Sequence, residues 1–231
     1  MSPAQNFAAL PETSLAALLD GRRALILAPH PDDESLGCGG LIAAACAAGM
    51  PPTVVILTDG AASHPDSTSH PPARLAALRE AEAREALAIL GLPRENMFFL
   101  GEPDTKLTGH TALIDRLSSI AAEQKCGIVI GPWAADPHCD HEAAAVIAEA
   151  VAIRGGLRRL SYPVWGWLRE AAPPAAGWRL NISAQLDVKR RAIAAHASQY
   201  GRVILDSPGG FSLPQNLLAI AARPYEVFLA P

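Results

Sequence analysis

The chain has 231 residues, half of them hydrophobic, with 19 Lys and Arg against 23 Asp and Glu for a net charge of −4. That is enough apolar material to bury one core, read as a single domain over 1–231, and the mild negative charge leaves no basic surface for nucleic acid or an anionic membrane. No apolar run approaches the roughly 20 residues that span a bilayer. Residues 1–20 lack the basic-then-apolar layout of a signal peptide, and the four cysteines form no C-x-x-C pair, which suits a reducing compartment. The expectation is a soluble, cytoplasmic protein without a membrane anchor. No heptad marks an interface, so a homo-oligomer stays open.

Leu25–Ala28 reads as a short strand, followed by a small-residue helix over Ser35–Ala48. Thr53–Thr58 is β-branched and reads as a buried strand. Asp59–Pro72, with three prolines and several polar residues, reads as a loop. A helix is expected over Ala73–Leu90, closed by Gly91. Strand Met97–Leu100, helix Leu107–Gln124, strand Gly127–Ile130 and helix His141–Ile153 complete the alternation. Such alternation implies an α/β, Rossmann-like, mostly parallel sheet with helices on both faces. The C-terminal third elaborates it: a strand or loop at Leu160–Leu168, a Pro/Ala-rich stretch at Ala171–Gly177, a helix over Gln185–Gln199 and a closing strand at Tyr225–Leu229.

Two clusters carry chemistry. His30-Pro31-Asp32-Asp33-Glu34 follows the first apolar run, and Asp136-Pro137-His138-Cys139-Asp140-His141 follows Gly127–Ile130. Both fall at the carboxyl ends of strands, where open α/β sheets bind ligands. His30, Asp33 and His141 make a two-His, one-carboxylate metal set with room for water, and one carboxylate is left for proton transfer. Helix capping by Asp33, Ser35 or Asp140 is the plainer alternative, but caps require neither the paired aspartates nor two histidines three apart. Gly37-Cys38-Gly39-Gly40 lacks the G-x-G-x-x-G spacing of a dinucleotide site and reads instead as close helix–sheet packing.

These residues resemble the PIG-L (LmbE-like) zinc-dependent de-N-acetylases, whose His-Pro-Asp-Asp and His-x-Asp-His turns are present as His30–Asp33 and His138–His141. Arg79-x-x-Glu82 before Leu90-Gly91, and Lys189 through Ser198-Gln199, are similar to later family segments. The resemblance implies removal of an acetyl group from an N-acetylated amino sugar or glycoconjugate. Its ligands to Zn²⁺ would be His30, Asp33 and His141, with Fe²⁺ accepted by the same donors. Asp32 would be the general base on the zinc-activated water. His138, as imidazolium, would steady or protonate the tetrahedral intermediate, and Asp140 would orient His138. Rivals are a metal-assisted amidase for a non-sugar N-acyl substrate and a non-catalytic sugar-binding module.

Other residues are less specific. Arg79 could meet substrate or pair with Glu82 on a solvated helix face. Trp133 could stack on a sugar, and Trp165, Trp167 and Trp178 could form a substrate lip or simply pack. Cys139 stands where the family often has proline and could compete for metal, although soft ligands favour structural sites. His64 and His70 read as idle loop residues, His196 as a packing or hydrogen-bonding residue, and Glu34 as support for the metal turn or solvent-facing.

Overall fold

The apolar runs pair into one eight-stranded sheet. In the computed structural model, residues 2–171 and 176–231 are described; part of the Pro/Ala-rich stretch expected at 171–177 lies outside them. The main elements are α1 (Pro3–Ala8), β1 (Glu12–Thr13), α2 (Leu15–Leu19), β2 (Arg23–Ala28), α3 (Asp33–Ala47), β3 (Thr53–Thr58), α4 (Pro72–Ile89), β4 (Met97–Glu102), α5 (Thr111–Glu123), β5 (Cys126–Pro132), α6 (Cys139–Gly155), β6 (Arg158–Tyr162), β7 (Gly177–Asn181), α7 (Leu186–Ala195), α8 (Gln215–Ala221) and β8 (Tyr225–Leu229). Among the described residues, no helix is long and apolar enough to cross a membrane.

The strand order is β1-β7-β8-β6-β5-β2-β3-β4, parallel throughout except where β8 runs antiparallel to β6 and β7. From the centre, β2, β3 and β4 step one way and β5 and β6 the other. The order therefore reverses between the paired neighbours β2 and β5, and a crevice opens at the carboxyl ends of those two strands. The two chemical turns leave from these strands, which is why they meet.

Alternation along the central strands builds two cores. Ile26, Val54, Ile56 and Ile130 face α3, α4 and α7, whereas Leu25, Leu27, Val55 and Val129 face α5 and α6; successive side chains on a strand point to opposite faces. The small residues of α3 serve close packing, as expected: a Cβ on Gly37 would fall 2.2 Å from Cδ2 of the buried Tyr162, whose hydroxyl donates to the Leu27 carbonyl at 2.9 Å.

Several expectations are revised. The helix expected from Leu107 starts only at Thr111, because the main-chain N–H groups of Thr105 and Leu107 donate to the Asp140 carboxylate instead of a helical ladder. The helix expected over Gln185–Gln199 ends at Ala195, and His196 (ψ +56°) leads into a 3₁₀ turn over Ala197–Tyr200. Elements α1, β1, α2, β7 and α8 carry no strong period in the sequence. They are short, and tertiary pairing specifies them: β1 is held against β7 through Glu12 and Thr13.

Candidate metal and catalytic site

His30 lies at the end of β2 and His141 in the first turn of α6, and both are buried. Their rings are held in the same way. His30 Nε2 meets Asp140 Oδ2 at 3.0 Å and Asp104 Oδ1 at 3.2 Å. His141 Nδ1 meets Asp136 Oδ2 at 2.9 Å. Each ring thus gives its outer nitrogen to a carboxylate, which fixes the tautomer and turns the other nitrogen inward. The two inner nitrogens, His30 Nδ1 and His141 Nε2, each lie 3.2 Å from one atom, Asp33 Oδ2.

That convergence tests the metal assignment. With the outer N–H groups donated to carboxylates, the inner nitrogens present lone pairs to an oxygen that also presents lone pairs. Only protons or a cation relieve this. His141 Nε2 is buried without a hydrogen-bond partner among the described residues, as expected of a metal-facing nitrogen. Asp33, Asp104, Asp136 and Asp140 surround the two rings. Burial works against a charged His141, but Asp33 and Asp136 raise its pKa to about 9. Burial likewise opposes charge on His30, and Asp104, Asp140 and Asp33 still hold it well above the imidazole range. Asp33 resists its own burial because His141 and His30 hold it ionised. This is an anionic socket with a nitrogen, nitrogen, oxygen donor set that fits Zn²⁺, or Fe²⁺ equally well. His138 adds a third imidazole, with nitrogen atoms of His30, His138 and His141 all within 4.8 Å of one another.

Asp32 sits beside the socket and lines its cavity. Burial raises its pKa to about 6; Arg79 works against that rise and Asp33 adds to it. Its backbone, at φ +154°, is one that L residues rarely adopt, a form of strain that concentrates at functional sites. Glu34 secures the distortion. Fully buried, it accepts the Asp32 N–H on Oε2 at 3.0 Å and the Ser35 hydroxyl on Oε1 at 2.7 Å, and His196 Nε2 lies 3.2 Å from that same Oε1. Glu34 therefore supports the turn, and His196 has the hydrogen-bonding role expected of it.

Arg79 is neither solvated nor paired with Glu82. It is buried, and its guanidinium donates to the Gly60 and Pro31 carbonyls at 3.0 and 2.9 Å and lies 3.4 Å from Asp32 Oδ2. Gly60, at φ +65°, admits this approach: a Cβ there would meet Nη1 at 2.6 Å. Glu82 instead accepts the N–H and hydroxyl of Ser198.

Three assignments change. Asp140 does not reach His138 through its carboxylate, which is occupied by His30 and the Thr105 and Leu107 amides; its backbone N–H donates to His138 Nδ1 at 3.2 Å. That bond makes Nδ1 the acceptor and leaves the ring proton on Nε2. Burial and the nearby His30 and His141 also lower the His138 pKa, which works against the imidazolium form that the resemblance implies. Trp133 is not a stacking platform: it is buried, edge-on to Phe7 at 5.4 Å, in a cluster with Trp167 and Val227. Of the three lip tryptophans only Trp165 lines the cavity; Trp167 packs on Phe7 and Trp178 against the main core.

Asp136 and Asp104 received no role from the sequence. Asp136 is fully buried and accepts the Val164, Trp165 and Gly166 N–H groups, so it ties β6's following turn to His141. The signal was its position five residues before His141, but carboxylates in a polar turn are too common for spacing alone to select one. Cys139 is exposed, its Sγ lies with donor atoms of His138 and Asp140 within 4.8 Å of one another, and partial desolvation with the Asp140 charge raises its thiol pKa, which works against the thiolate. In a chelator-competition titration with Zn²⁺, Cys139→Ser is expected to match the wild type, while Asp136→Ala loses roughly 10–100-fold in affinity. Equal affinity of the Asp136→Ala protein would show that His141 is not a ligand.

The sequence profile of the PIG-L family, described as GlcNAc-PI de-N-acetylase, matches residues 25–152, a span containing both turns. The chain is 28% identical over 198 residues to a diacetylchitobiose deacetylase of Thermococcus kodakarensis, covering 78% of this chain and 71% of that one. It is 29% identical over 197 residues to a probable N-acetyl-α-D-glucosaminyl L-malate deacetylase 2 of Bacillus anthracis, covering 80% and 84%. Among solved structures, the conserved protein TT1542 of Thermus thermophilus superposes with a TM-score of 0.69 at 28% identity, covering 91% of this chain and 94% of that one. With the profile spanning more than half of its residues and both turns intact, the chain belongs to the PIG-L family.

Proposed function

We propose that residues 1–231 form one catalytic domain that hydrolyses the acetamide of an N-acetylated amino sugar or glycoconjugate, releasing acetate and a free amine. One observation carries this: two buried imidazoles, each clamped by a carboxylate, turn their inner nitrogens onto Asp33 Oδ2 beside a cavity lined by Asp32. The deacetylase relatives support the choice of an N-acetyl sugar.

His30, Asp33 and His141 would hold a divalent metal, Zn²⁺ or Fe²⁺, which would lower the pKa of water and polarise the acetyl carbonyl. Asp32 takes a proton from the attacking water. The water oxygen bonds to the acetyl carbon, and His138 donates its Nε2–H to the oxygen on which charge develops. As the carbon–nitrogen bond breaks, the amine collects a proton from Asp32 or His138, and acetate departs. Asp140 holds His30 through its carboxylate and His138 through its backbone. Arg79, locked on two carbonyls, positions Asp32 and the chain around it. A cytoplasmic setting is part of this proposal, with the irregular cysteine spacing as its support.

Acetate release measured on the zinc-loaded protein tests it. N,N′-diacetylchitobiose and N-acetylglucosamine glycosides are expected to turn over, N-acetyl amino acids are not, and chelation abolishes the activity. Turnover of the amino acids alone would make the protein a non-sugar amidase. Tight sugar binding without acetate release would make it a binding module.

A further inference from the structure

The cavity above the metal socket has a volume of about 330 Å³, small for a ligand site, and its two ends differ sharply. The inner end carries the buried polar groups His30, Asp32 and Asp33. The outer end is marked by the more exposed lining residues, Pro65, Trp165 and Phe211. Trp165 and Phe211 stand edge to face, 5.9 Å between ring centroids, and both are only partly buried, so each leaves surface to offer.

Charge narrows what this outer end can take. Among the described residues lining the cavity, Arg79 is the one Lys or Arg. Its Nη1 and Nη2 are donated to main-chain carbonyls at the inner end. One carboxylate stands close to this end: a Cβ on Gly209, a lining residue, would lie 3.6 Å from Asp66 Oδ2. The Asp206 carboxylate accepts the hydroxyls of Ser67, Thr68 and Ser69, fastening the 59–71 loop to the chain near Gly209. A carboxylate or phosphate placed here would lose its water and find no cation besides the carbonyl-bound Arg79, with Asp66 close to Gly209. An apolar group would lose nothing and gain the two rings.

Building on the de-N-acetylase reading, we propose that the substrate is an N-acetylated amino sugar whose glycosidic substituent is uncharged and apolar, an aryl or alkyl group held by Trp165 and Phe211. Such a site differs from what a malate conjugate, with its two carboxylates, requires.

The test compares phenyl N-acetylglucosaminide, free N-acetylglucosamine and N-acetylglucosaminyl malate on the zinc-loaded protein. The phenyl glycoside is expected to exceed the malate conjugate at least tenfold in kcat/KM. In Trp165→Ala and in Phe211→Ala, the ratio of kcat/KM for phenyl glycoside to that for free sugar is expected to fall about tenfold. Equal or better turnover of the malate conjugate, or an unchanged ratio in both variants, overturns the proposal. Calorimetric binding of the same three compounds to zinc-loaded Asp32→Asn protein separates this from the reaction itself. If no compound releases acetate, the de-N-acetylase reading fails, and the order of binding still decides whether the outer end selects apolar substituents.

Discussion

Asp32→Asn is expected to bind zinc within about twofold of the wild type and to lose roughly 10²–10⁴ in kcat, the usual worth of a positioned general base. The substitution is close to a pure change of charge. The Asp32 N–H keeps its bonds to Glu34 Oε2 and to the His30 carbonyl, both at 3.0 Å. Asn tolerates unusual positive-φ backbones better than most residues, so the +154° conformation is retained. Arg79 loses a partner at 3.4 Å but keeps its two carbonyls. The proposed metal donors His30, Asp33 and His141 are untouched, and only the proposed acceptor of the water's proton is gone. Steady-state acetate release with parallel metal analysis decides the matter. Full activity on a substrate that the wild type deacetylates would remove Asp32 from the chemistry.

The second large effect concerns stability. Lys189 Nζ contacts Glu226 Oε1 at 2.7 Å, and both side chains are 2% exposed. The same carboxylate accepts the N–H groups of Gly40 and Leu41 at 2.6 and 2.8 Å, in the middle of α3. Gly39 makes the approach feasible, since a Cβ there would come within 3.1 Å of Lys189 Cγ. Lys189→Met leaves the Glu226 charge buried without its counter-ion, a loss of about 3–5 kcal/mol. For a chain of this size that is a fall in Tm of roughly 10 °C. The double variant Lys189→Met with Glu226→Leu removes both charges and is expected to recover most of the loss. Chemical denaturation of the two variants measures the difference. A single variant as stable as the wild type would mean that the Lys189–Glu226 pair contributes nothing to stability.

The alternating strands and the two turns rich in His and Asp are legible because each has a local signature. Thr53–Thr58 is β-branched at every position but Leu57, and the His-Pro-Asp-Asp spacing places its residues within one turn of chain. What holds those residues is not legible. Asp136 grips His141 and the 164–166 turn, and Asp140 faces His30 across 110 positions. Arg79 folds back onto Gly60 and Pro31 rather than onto Glu82 at i+3. These contacts depend on which strands are neighbours, and no local pattern encodes that. Trp133 was misplaced for the same reason: next to a functional turn in sequence, it is turned by its strand into the cluster around Phe7. The short elements α1, β1, α2, β7 and α8 have too few residues for a period to register, yet β1 and β7 complete the sheet beside β8, the closing strand expected at Tyr225–Leu229.

The two ends of the cavity come from separate parts of the chain. The socket is fixed by turns leaving β2 and β5, whereas the outer wall comes from the 59–71 loop, Trp165 and residues 209–213, with Phe211 N–H donating to the Ser63 carbonyl. Reaction and selectivity are therefore separable inheritances. The outer segments can be exchanged as a cassette, keeping the Asp206 bonds to residues 67–69 as the splice point, to redirect the protein toward other glycosides while the hydrolytic machinery stays as it is.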